Sequence, residues 1–154
     1  METDRVFNTA FETSLRILLL LDASDSDLDE QTIRTADFIA TYGKEFNLSS
    51  DSPNGDNPYM YCELAARKSL INEAIRILVT DGFVQPSATG SGFLYRTTFH
   101  GHHYAVSLKS DYAKEYQQAA SSALELIEGK GIEFVYSLVR RKAGSANKAE
   151  LSYE

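Results

Sequence analysis

Three stretches with helical spacing are followed at once by two short segments whose side chains alternate. That order restricts the fold more than any other property of the chain. In the second alternating segment Phe93, Tyr95 and Thr97 interleave with Leu94, Arg96 and Thr98, the period of two expected of a half-buried strand. Phe83 to Ser87 is the other segment, and Ala88-Thr89-Gly90-Ser91-Gly92 between them is a hairpin signal. Gly82, directly after the third helical stretch, is placed to close that helix in a left-handed conformation.

The first helix is predicted over residues 8 to 22. Phe7, Phe11, Leu15, Leu18 and Leu19 recur at helical spacing, and Ile17, Leu20 and Leu21 widen the stripe until the last turns are apolar nearly all round. A helix with so little polar surface belongs at the centre of a core or in an interface. Asp27 with Glu30 fits a capping box for a second helix running to about Phe46, with Leu28, Thr35, Ile39, Tyr42 and Phe46 on one face. Residues 47 to 58 are nearly all turn formers and read as a surface loop. The third helix runs from Tyr59–Glu63 to Asp81 on Leu64, Ile71, Ile75 and Leu78, with Arg67, Lys68 and Arg76 mostly off that face.

After the hairpin, an irregular stretch leads to Ser110 or Asp111, either of which can cap a fourth helix with Tyr112, Tyr116, Ala119, Ala123 and Ile127 on its apolar face. Gly129 is expected to end it. A fifth helix covers Ile132 to Lys142, with Ile132, Val135, Leu138 and Val139 on one side and a frayed polar tail beyond Gly144. The expected fold is therefore mainly α with a small β-hairpin (α+β). It comprises a winged-helix-like domain over residues 1–110 and a C-terminal helical extension over 111–154 packed on the same core. An all-helical bundle with an incidental hairpin is the alternative.

Charge then narrows the function classes. The 154 residues hold 22 acidic and 15 basic side chains, a net of -7. Residues 1–58 alone carry a net of -8, residues 59–110 a net of +2, and residues 111–154 a net of -1 with a basic cluster at Arg140, Arg141, Lys142 and Lys148. A chain this acidic is a poor free-standing duplex binder, since phosphate contacts need surplus Lys and Arg. The uneven distribution suits an adaptor with different faces for different partners, although solubility alone would also explain it. The longest strongly apolar run, Ile17 to Leu21, is far short of a membrane span, and no secretory leader is evident. A cytoplasmic protein with no membrane contact is expected.

No motif points to catalysis. His100, His102 and His103 lie close together, but no Asp, Glu or Cys nearby completes a zinc site, and a polar loop explains them. Cys62 has Glu63 beside it and no evident base, so a packed thiol is the simpler reading and a hydrolase built on Cys62 and His103 is remote. The acids Asp22, Asp25, Asp27 and Asp29 lack the glycine that a calcium loop needs. Gly90-Ser91-Gly92 lies between strands, unlike a phosphate-cradling loop, which runs into a helix. Catalytic, metal and cofactor-binding residues are each expected to be none. Arg67, Lys68 and Arg76 on the third helix, with Arg96 on the wing, are where a winged helix would meet DNA, although a solvated polar face is the simpler reading of them.

At this point a resemblance emerges. Phe7-Asn8-Thr9-Ala10-Phe11-Glu12 followed by Leu15-Arg16-Ile17-Leu18-Leu19-Leu20-Leu21 is similar to the first helix of the small middle component of bacterial ABC-three-component conflict systems, which include the Lamassu type. Asp37-Phe38-Ile39 leading towards a Pro-containing loop also fits. So does Glu63-Leu64-Ala65-Ala66-Arg67-Lys68-Ser69-Leu70-Ile71, continuing to Leu78 and Gly82-Phe83-Val84. Gly92-Phe93-Leu94-Tyr95-Arg96-Thr97-Thr98 and Tyr112-Ala113 complete the pattern, whose weight lies in the order of its pieces across roughly residues 6 to 128.

The resemblance implies a winged-helix-like, non-catalytic adaptor in a complex with an SMC-like ABC ATPase that senses DNA. It also implies an effector subunit, often a nuclease, and an outcome of defence against phage or plasmids. DNA would be met mainly through the complex. On that reading, Phe11, Leu15, Leu18, Phe93 and Tyr95 are the expected partner interface. Arg67, Lys68, Arg96, Arg140, Arg141 and Lys142 are the expected contacts to DNA or to an acidic partner surface. A winged-helix transcription regulator that binds duplex DNA directly as a dimer is the runner-up.

Overall fold

The computed structural model describes residues 9–46 and 59–151, with side chains over 9–42 and 66–141. Its elements in chain order are α1 (Ala10–Ala23), β1 (Leu28–Asp29), α2 (Glu30–Phe46), α3 (Tyr59–Thr80), β2 (Val84–Thr89), β3 (Gly92–Thr97), α4 (Phe99–Ser107), α5 (Asp111–Lys130) and α6 (Ile132–Leu151). The chain is mainly helical with one small antiparallel sheet, as the sequence pattern predicts. The surface loop expected over residues 47 to 58 lies outside the described residues.

α1 is the axis of the molecule. Thr9 caps it, its side chain accepting from the Glu12 amide at 3.1 Å. Ile17 to Leu21 are all buried, so the later turns of the helix are enclosed on every side, and α1 as a whole contacts α2, α3, α4, α5 and the sheet. This is the physical outcome of the widened apolar stripe: five consecutive residues cannot all be buried on a helix with a solvent face. Phe38, Ile33, Ile71, Leu78, Val135 and Val139 complete the core around it. α5 packs on both α1 and α2, placing Tyr116, Ala120, Ala123 and Ile127 in that same core.

The sheet has the order β1-β3-β2, antiparallel throughout. Leu28 pairs with Tyr95, and Val84 through Thr89 pair with Thr97 through Gly92. Gly90 and Ser91 alone make the hairpin turn, and Thr89 Oγ1 braces it by donating to the Gly92 carbonyl at 2.7 Å. Pro86 is accommodated because β2 is an edge strand. Gly82 closes α3 with φ +79, and the Phe83 amide donates back to the Leu78 carbonyl at 2.9 Å.

Several expectations are corrected. β1 intervenes before the second helix, and it is Asp29, not Asp27, whose carboxylate accepts from the Thr32 amide at 2.9 Å at the start of α2. α5 runs one residue past Gly129 and is closed by Gly131, whose φ is +90. α6 continues past Gly144 to Leu151 where a frayed tail was expected. The predicted irregular stretch after the hairpin is the helix α4.

Candidate functional site

The most unusual chemistry in the molecule is in its interior. Asp37 on α2 is fully buried and receives hydrogen bonds from three other helices. Arg16 of α1 donates from Nε to Oδ1 at 3.1 Å and from Nη2 to Oδ2 at 3.4 Å. Arg67 of α3 donates from Nη1 to Oδ2 at 2.6 Å, and the Tyr116 hydroxyl of α5 donates to Oδ1 at 2.6 Å. Arg16 also reaches Thr13 Oγ1 at 3.4 Å. The Arg67 guanidinium lies over the rings of Tyr42 (5.2 Å) and Phe38 (5.8 Å).

Electrostatics fix the protonation of this cluster. Burial alone would push the Asp37 carboxyl up, but the charges of Arg16 and Arg67 and the bonds donated by Arg16 and Tyr116 outweigh it and hold it below the usual carboxylate range. Burial and the adjacent Asp37 charge push the Tyr116 phenol well above its usual value. Burial opposes the Arg16 charge, yet Asp37 more than restores it. Two guanidiniums therefore share one carboxylate. Four donated bonds occupy the roughly four lone-pair sites that an ionised carboxylate offers, leaving none to accept a proton from a substrate. The arrangement joins four helices rather than performing acid–base chemistry.

The surface residues singled out by sequence fall into two groups. Of the expected partner interface, Phe11 and Phe93 are exposed (61% and 55%), Leu15 and Tyr95 are half-buried, and Leu18 is fully buried in the core. Leu18 is thus a correction, since it shares a face with Phe11 and Leu15 but lies in the later turns of α1, where Ile17 to Leu21 are all buried. Arg67 is the second correction. It is 3% exposed and paired with Asp37, so its charge is spent inside the molecule. Its position four residues before Ile71 and seven before Ala74 puts it on the buried face of α3. Lys68, Arg76, Arg96, Arg140 and Arg141 are exposed, whereas the Lys142 side chain lies outside the described residues. The Cys62 side chain also lies outside them.

On α3, Lys68, Ser69, Asn72, Glu73 and Arg76 line a shallow depression of about 510 Å³. The Tyr136 ring of α6 is flanked by Arg34 of α2 at 5.9 Å and by Arg140 of α6 at 5.8 Å. A groove of about 1600 Å³ between α2 and α5 is lined mainly by alanines, serines, glutamines and tyrosines, including Tyr42 and Tyr116.

The three histidines lie on α4 rather than in a loop, and they diverge. His100 packs on the Phe83 ring at 4.8 Å, His102 Nδ1 lies 2.8 Å from Asp22 Oδ1, and His103 is exposed. Among the described residues no three His, Cys, Asp or Glu side chains are grouped to hold a metal ion. No helix among them is long and apolar enough to cross a membrane.

The described part of this chain is built around one shared helical core. The chain belongs to the family described as ABC-three component (ABC-3C) system Middle Component 2, which matches it over residues 6–148. The protein is accordingly a middle component of a multi-component system. No curated protein and no solved structure matches the chain.

Proposed function

We propose that this chain is the non-catalytic adaptor of its system, working in the cytoplasm to link an SMC-like ABC ATPase that senses DNA to an effector, often a nuclease, in defence against phage or plasmids of the Lamassu type. Membership of the middle-component family over nearly the whole chain carries this reading. The topology supports the winged-helix part of it. A short strand between the first two helices pairs with β3 and completes a sheet with the hairpin that follows the third helix. On this reading residues 1–110 are the winged-helix-like unit and residues 111–154 its helical extension.

Phe11, Leu15, Phe93 and Tyr95 are the proposed contacts to partner subunits. Lys68, Arg96, Arg140, Arg141 and Lys142 are the proposed contacts to DNA held by the ATPase or to an acidic partner surface. Mixing the purified chain with the ATPase and running a sizing column tests the adaptor role. Co-elution is expected, and its absence overturns the reading. The exposed Lys68, Asn72 and Arg76 on α3 favour one alternative, a transcription regulator. A salt-dependent shift of duplex DNA by the isolated chain would support that alternative.

A further inference from the structure

Over its first half α1 is amphipathic the wrong way round. Phe11 is 61% exposed and Leu15 half-buried, whereas Thr13, Ser14 and Arg16 are all buried. At about 100° per residue, Thr13 and Arg16 lie roughly 160° and 140° around the helix from Phe11. Burial of apolar surface alone would favour the opposite rotation, with Phe11 and Leu15 turned in and the guanidinium in water. The second half of the helix offers no resistance to that rotation. Ile17 to Leu21 are apolar on every side, and the hydrophobic effect has no direction, so turning them about the helix axis keeps as much apolar surface buried.

Polar contacts fix what the apolar run leaves free, and they bracket it. At its start Arg16 donates to both carboxylate oxygens of Asp37 on α2, and its Nη2 reaches Thr13 Oγ1. At its end Asp22, whose side chain is 10% exposed, lies 2.8 Å from His102 Nδ1 of α4 and accepts from the Thr97 hydroxyl of β3 at 3.3 Å. Asp22 is about 20° around the helix from Phe11 and roughly 120° from Arg16, so the two residues hold different sides of α1 to different elements. A rotation that buried Phe11 would pull Arg16 away from Asp37 and carry Asp22 towards the apolar core. Leaving a buried charge without its partner costs more than leaving one aromatic ring in water.

We propose that Arg16 and Asp22 are positioning residues that set the rotation of α1 and so hold Phe11 and Leu15 outward. Fixing register is the best-attested use of polar groups placed in a core. The consequence for partner binding rests on the adaptor reading, in which Phe11 and Leu15 meet another subunit, whereas the rotation itself does not.

The test follows the Phe11 ring of the full chain by NMR, through the relaxation that a soluble paramagnetic agent causes there. The variants are Arg16→Gln, which leaves Asp37 paired with Arg67 and Tyr116, Asp22→Leu, and the two together. Relaxation at Phe11 is expected to fall about threefold in each single variant and about tenfold in the pair, as the inward rotation gains population. Arg16→Lys, which keeps a cation beside Asp37, is expected to retain the wild-type value. A Phe11 ring as accessible in both single variants as in the wild type overturns the proposal. Loss of the folded state by either single variant also overturns it, because the contact would then serve stability rather than orientation. Co-purification of the same variants with the ATPase and the effector separates the two readings. Inward rotation with reduced recovery of a component supports both. Inward rotation with undiminished recovery supports the positioning role and removes Phe11 and Leu15 from the partner interface.

Discussion

Arg67 of α3 places Nη1 2.6 Å from Oδ2 of Asp37 on α2, inside a core that both residues' charges would ordinarily forbid. Because Arg16 and Tyr116 converge on the same carboxylate, the two ends of the cluster respond differently to mutation. Asp37→Ala strands two buried guanidiniums without a counter-charge and is expected to cost about 5 kcal/mol, the upper end for breaking a buried pair. Arg67→Ala leaves Asp37 balanced by Arg16 and is expected to cost about 1–3 kcal/mol. Urea unfolding of both variants checks the order through the midpoint at constant slope. An Arg67→Ala loss equal to or greater than that of Asp37→Ala would contradict the arrangement.

The same cluster gives stability a pH dependence at both ends. The folded Asp37 carboxyl binds its proton less readily than the unfolded one. Its contribution is therefore fully present above the unfolded value of about 3.9 and is lost as pH falls from there through the folded value. Tyr116 is the reverse case. Its phenol is held protonated in the fold, so its contribution is present below about 10 and is lost as pH rises above that. The stability of the wild type minus that of Asp37→Asn should fall as pH drops below about 4, and that minus Tyr116→Phe should fall as pH rises above about 10. A difference curve that is level across either window would remove that residue from the cluster.

How much of this was legible depends on the kind of signal each element emits. The central position of α1 could be read because Ile17 to Leu21 leave it no polar side. The hairpin was legible from its alternation and its glycines. β1 was not, because two residues cannot display a period, and it is a strand only because β3 offers it an edge. α4 escaped for a different reason. Its buried contacts are made largely by Gly101 and Ala105, and small residues bury close approach without a hydrophobic stripe. The buried cluster was obscured by chemistry, since Arg and Asp are usually exposed. Spacing held the correction: Arg16 interrupts the apolar run of α1, and Arg67 shares a face with Ile71 and Ala74.

Two glycines within helices should respond in opposite directions to alanine. In a helix interior, glycine costs roughly 0.5–1 kcal/mol relative to alanine. Gly129, near the end of α5, has open space where a Cβ would go, so Gly129→Ala is expected to stabilise by up to that amount. At Gly101 the new Cβ collides with backbone that is held at Phe83 by hydrogen bonds to Leu78 and Thr98. Gly101→Ala should therefore destabilise by about 1–3 kcal/mol despite the better helix propensity. Thermal melts of the two variants give the signs directly, and a stabilised Gly101→Ala would mean that α4 is not seated on Phe83.

The exposed cations make a prediction that separates DNA contact through the complex from contact by this chain alone. Lys68 and Arg96 belong to the proposed winged-helix unit, and Arg140 and Arg141 to α6, all of them exposed. With a net charge of -7 the free chain should show no salt-dependent shift of duplex DNA. In the assembled complex, each of these side chains that meets a phosphate should contribute to the salt dependence. Replacing it by glutamine should then reduce the slope of log affinity against log salt by about one. Measuring that slope for the complex with Lys68→Gln and Arg96→Gln, and separately with Arg140→Gln and Arg141→Gln, assigns the contact to one face or the other. A slope unchanged by all four replacements would assign these cations to an acidic partner surface, and the component whose recovery then falls would identify it.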